Sequence, residues 1–85
     1  MINIYKLLYM DNMQATIKGT GKKANFISTT FKTDPAGKIL FYNEELTPGF
    51  SKDGFLPHPH FTAAGLNKHI EKLLLEGFTL ELKAV

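Results

Sequence analysis

No cysteine occurs in these 85 residues. That excludes a disulfide framework, thiolate zinc sites, iron–sulfur clusters and a cysteine nucleophile. Arginine is missing too: all ten basic residues are lysine. Without guanidinium forks, base-specific and bidentate phosphate recognition lack their usual donor. A coding bias in the source genome explains the same composition and carries no function. No stretch approaches the roughly 18 apolar residues that span a membrane. The opening MINIYKLLYM has no basic n-region and no small-residue cleavage site after it, so it does not read as a signal peptide. These absences lead to the expectation of a cytoplasmic protein that needs no cofactor and no membrane.

Serine is scarce as well. Ser28 sits among threonines and Ser51 beside Asp53, with no G-x-S-x-G elbow around either. The paired carboxylates Glu44 and Glu45 are adjacent, so in a strand they face opposite ways and cannot share an acid–base task. GTGKK, residues 19–23, has glycines and lysines but not the spacing of a phosphate loop. The expectation is a protein that is not an enzyme.

What is present is a globular composition, 44% hydrophobic and 21% charged. At this length it makes one domain, 1–85, with a small core, and self-association is a natural way to bury more area. Charge is uneven along the chain. Six lysines face Asp11 and Asp34 up to Lys38, whereas four lysines face six acids beyond it.

Residues 4–10, IYKLLYM, read as a central strand, with a helix over 5–17 as the competing reading. Asp11-Asn12 then makes a tight turn, and residues 13–18 return as a second strand. ANFISTTFK (24–32) and KILFYNEEL (38–46) flank Asp34-Pro35-Ala36-Gly37, whose Pro and Gly suit a type I turn. Residues 47–60 form a long irregular loop in which Phe50, Phe55 and Leu56 must find cover.

A helix follows, with Thr62 as N-cap and Phe61 stapled to Leu66. Leu66, Ile70, Leu73 and Leu74 form its apolar stripe, and Gly77 with Phe78 closes its end. FTLELKAV alternates as a final half-buried strand. The order β-β-β-β-α-β predicts an α+β fold, a four- to five-stranded mostly antiparallel sheet covered on one face by one C-terminal helix.

Three functional readings compete. The leading one is a small protein-interaction module, an accessory or regulatory protein acting through an apolar sheet face around Phe26, Phe41 and Tyr42, with Lys22 and Lys23 at its rim. Its partner is another protein or a second copy in a homodimer. The alternative is single-stranded nucleic-acid binding on Lys18, Lys22, Lys23, Lys32, Lys38, Phe26 and Tyr42. A third is a metal site on His58, His60 and His69, since His-x-His places two imidazoles on one side of an extended segment. Against it, PHPH serves equally as a stiff lead-in to the helix.

Overall fold

The computed structural model describes residues 3–19, 27–45 and 54–85. The elements run α1 (Ile4–Tyr9), β1 (Met13–Lys18), β2 (Ile27–Thr33), β3 (Ile39–Glu45), β4 (Leu56–Pro57), α2 (Ala63–Leu75) and β5 (Thr79–Ala84). The strands form one antiparallel sheet in the order β4-β3-β2-β1-β5. The expected α+β class therefore holds, with a helix following the first four strands and a strand closing the sheet.

Two elements depart from expectation: the edge strand β4 lies within the expected loop 47–60, and residues 4–9 are helical, not a strand, so two helices and not one cover the sheet. Ile4 and Leu8, each 2% exposed, are four apart, a spacing that lies on one face in either conformation. Met10 separates the two readings. A strand would bury it beside them, and it is 69% exposed.

Six residues are too few to hold a helix alone, and α1 is tied down from outside. Asn3 caps it by accepting from the Lys6 amide at 3.1 Å. Asn67 of α2 accepts from the Tyr5 amide and donates to the Asn3 side chain, both at 2.9 Å. The Tyr5 hydroxyl donates to the Gly37 carbonyl at 2.6 Å, and Thr33 Oγ1 donates to the Leu8 carbonyl. Asn12, at φ 51°, then turns helix into strand, not strand into strand.

The β2–β3 hairpin forms at the turn the sequence predicts. The Gly37 amide donates to the Asp34 carbonyl at 2.9 Å, and Asp34 Oδ1 accepts from the Ala36 and Lys38 amides. Gly37, at φ 84°, takes the left-handed position after the turn. A Cβ there would lie 2.8 Å from the Tyr5 hydroxyl, so the site requires glycine for space as well as for backbone.

The α2 signals hold as well. Thr62 Oγ1 accepts from the Gly65 amide at 3.1 Å. At the other end Gly77 has φ 97°, the Phe78 amide donates to Leu73 and the Gly77 amide to Leu74, which completes a Schellman closure. Leu66 and Ile70 are fully buried and Leu73 packs against the core, but Leu74 sits at the margin and is exposed. Burial of each of the first two contributes about 1.5–3 kcal/mol before entropy.

The core joins Ile4 and Leu8 of α1, Leu66 and Ile70 of α2, and Ala15, Ile17, Phe31 and Ile39 of the sheet. The strand residues in this set point to one face, since Ala15 pairs with Phe31 and Phe31 with Phe41. Both helices therefore cover the same side. The opposite side carries Thr16, Thr30 and Tyr42 in one cross-strand row and Lys32, Leu40 and Pro57 in the next.

Candidate functional site

The histidines take up quite different positions. His58 follows β4, where its amide donates to the Ile39 carbonyl at 2.9 Å, and its ring turns to the helix side. There it stacks on Phe61, centroids 3.9 Å apart and planes 7° from parallel, with its edge to Phe41 at 5.1 Å. Its Nδ1 accepts from the His60 and Phe61 amides, both at 3.2 Å. The imidazole thus acts as a local cap that leads the chain into α2. That acceptor role requires an unprotonated Nδ1, which leaves the neutral ring's proton on Nε2. Burial lowers the His58 pKa from its ordinary 6.5, and the charges of His60 and His69 lower it further.

His69 lies on α2 with the Phe61 ring against it at 5.0 Å, so one phenyl touches both His58 and His69. Its pKa is lowered by burial first and by Lys72 second, with Glu76 opposing. His60 is exposed, 6.3 Å from His58 between ring centres. Among the described residues no three His, Asp or Glu side chains are grouped to hold a metal ion. Ser28 is buried in β2 opposite Lys18. Ser51 lies outside the described residues.

The residues expected to form a binding face are divided. Phe26, Lys22 and Lys23 lie outside the described residues. Phe41 and Tyr42 are neighbours in β3 and so face opposite sides. Phe41 packs against the core under the helices, while Tyr42 is half-buried on the side opposite α1 and α2. Tyr42 is joined there by residues of the segment expected as a long loop. Phe55 lies 5.8 Å from the Tyr42 ring, and the Lys32 ammonium sits 4.2 Å above the Phe55 ring. Leu40 and Pro57, directly paired, complete the patch. Phe55 carries one signal in the sequence, a large apolar residue in need of cover. Its cross-strand neighbours depend on the β3–β4 register, which no local pattern encodes.

The other half of this face is polar. Thr16 and Thr30 hydroxyls hydrogen-bond at 2.9 Å, and Lys18 meets Glu81 at 3.8 Å with both side chains largely exposed. Lys38 stands exposed at the hairpin end. No helix among the described residues is long and apolar enough to cross a membrane. The chain matches no protein-family model, no curated protein and no solved structure.

Proposed function

We propose that this protein works by binding, as an accessory or regulatory module that docks a protein partner on the face of its sheet opposite α1 and α2. The observation that carries this reading is the patch of Leu40, Tyr42, Phe55 and Pro57 on the side opposite both helices. An aromatic pair beside aliphatic neighbours is the composition of an interface centre, and Lys32 supplies a positive charge beside it. The partner surface that fits is apolar in the middle and acidic at its edge.

Capture from an extract of the source cells tests it. Wild-type protein should retain one partner at low and at high salt, and Tyr42→Ser combined with Phe55→Ser should lose it while still unfolding cooperatively. Retention that survives both substitutions would sink the proposal.

A second reading has its own observation. Lys32 over the Phe55 ring, next to Tyr42, is also the pairing of cation and aromatic on which single-stranded nucleic acid stacks. Binding of a mixed-sequence oligonucleotide that fades steeply with salt, and with Lys18→Ala and Lys32→Ala together, would favour it.

A further inference from the structure

The two edges of the sheet are built differently. β4 is two residues long and contains Pro57, so that edge is blunt. β5 is six residues long with no proline, and among the described residues no strand pairs with its outer side. We infer that β5 is a self-pairing edge, which joins a second copy of this chain antiparallel, β5 to β5, with Leu82 on the two-fold axis.

The register follows from hydrogen bonding and charge. The Val85 amide donates to the Asn12 carbonyl at 2.8 Å, which continues the β1–β5 ladder in which Met13 pairs with Ala84. In an antiparallel ladder the inward groups alternate, so Val85, Lys83, Glu81 and Thr79 are bonded to β1. The backbone groups of Leu80, Leu82 and Ala84 therefore point outward, where no other strand among the described residues takes them.

Two identical strands brought together antiparallel are related by a two-fold axis normal to the sheet. Residues directly opposite then share a face, and the axis passes through a residue pair of one kind. Centred on Glu81, the edge sets two carboxylates face to face. Centred on Lys83, it sets two ammonium groups face to face. Centred on Leu82, each Glu81 lies opposite the partner's Lys83, and each Leu80 opposite the partner's Ala84. The outward pairs exchange two hydrogen bonds each. Glu81 and the partner's Lys83 fall in the non-hydrogen-bonded positions, where side chains come closest.

Glu81 already meets Lys18 of its own sheet, so the partner's Lys83 completes a row of alternating charge across the junction. On the helix side, half-buried Leu82 meets its own copy. The contact buries less than a large apolar interface, so the dimer dissociates on dilution.

Charge reversal at exposed positions tests this without touching the core. Sedimentation over a wide concentration range should show a monomer–dimer equilibrium. Glu81→Lys alone and Lys83→Glu alone should each weaken the dimer about tenfold or more, since each sets like charges across the junction twice. The combined exchange E81K/K83E should restore it. Amide exchange gives an independent reading: Leu80, Leu82 and Ala84 should be unprotected at low concentration and protected at high concentration. Circular dichroism confirms that each variant is folded. A chain that stays monomeric throughout, with Lys83 acting only to keep other strands away, overturns the proposal. So does a dimer that ignores both single reversals, which would place its contact elsewhere, including on the Tyr42 face.

Discussion

His58 fixes two backbone amides with one ring nitrogen, and that makes a single imidazole sensitive to acid. Protonation of Nδ1 removes the acceptor and charges a ring stacked on Phe61. The pKa of the folded protein lies below the ordinary 6.5, so the unfolded chain binds the proton more readily. Stability from this group is therefore complete above about pH 6.5 and is lost as pH falls through the lowered value. His69, lowered for the same main reason, acts in the same direction. Thermal unfolding should accordingly shift down between about pH 7 and pH 5. His58→Asn keeps an acceptor at a similar position without a titrating group. It should be less stable at neutral pH, by about 1 kcal/mol for the lost stacking, and its Tm should vary less with pH. An unchanged pH slope in that variant would show that the acid sensitivity arises elsewhere. The pair Phe41 and Tyr42 teaches a different lesson at this scale. Their adjacency in a strand dictates opposite faces, so the single face expected around both was at odds with the pattern of the sequence itself, whereas the arrival of Phe55 beside Tyr42 left no trace in it.

Elements were legible in proportion to how local their stabilisation is. The N-cap, apolar stripe and glycine closure of α2 all lie within eighteen positions, Phe61 to Phe78, and each is where the sequence puts it except Leu74, which leaves the stripe for the surface. The β2–β3 turn is the same kind of case: Asp34 Oδ1 gathers two amides within four residues. Helix α1 is the opposite case. Its ties run to Gly37, Thr33 and Asn67, and the last is 62 positions from the amide it accepts. No window along the chain contains that information. One consequence can be measured. Thr62→Ala removes a cap from a helix whose other supports are intact and should destabilise the protein by about 1 kcal/mol in urea unfolding. Loss of several times that amount would mean that the cap also positions Phe61 against Phe31, 6.0 Å away between ring centres.

For the molecule as a whole, the sheet order sets one side of β1 against a near neighbour in sequence and the other against a distant one. Pairing Lys18 with Thr79 closes a loop across 61 positions. An unfolded chain gives up about 3–4 kcal/mol of entropy in such a closure, compared with far less for the β2–β3 turn. The hairpin is thus the natural place for folding to begin and β5 the natural last arrival. Substitutions that weaken each should separate in time. Asp34→Ala, which removes the turn's own side-chain acceptor, should slow refolding, while Leu80→Ala, in β5, should chiefly quicken unfolding. Stopped-flow measurement in urea distinguishes them, and equal effects on both rates would contradict this sequence of events. Until β5 arrives, β1 presents a whole strand's width of unsatisfied amides and carbonyls beside Ala15 and Ile17. The chain's period of greatest exposure to wrong partners therefore ends only with its final strand.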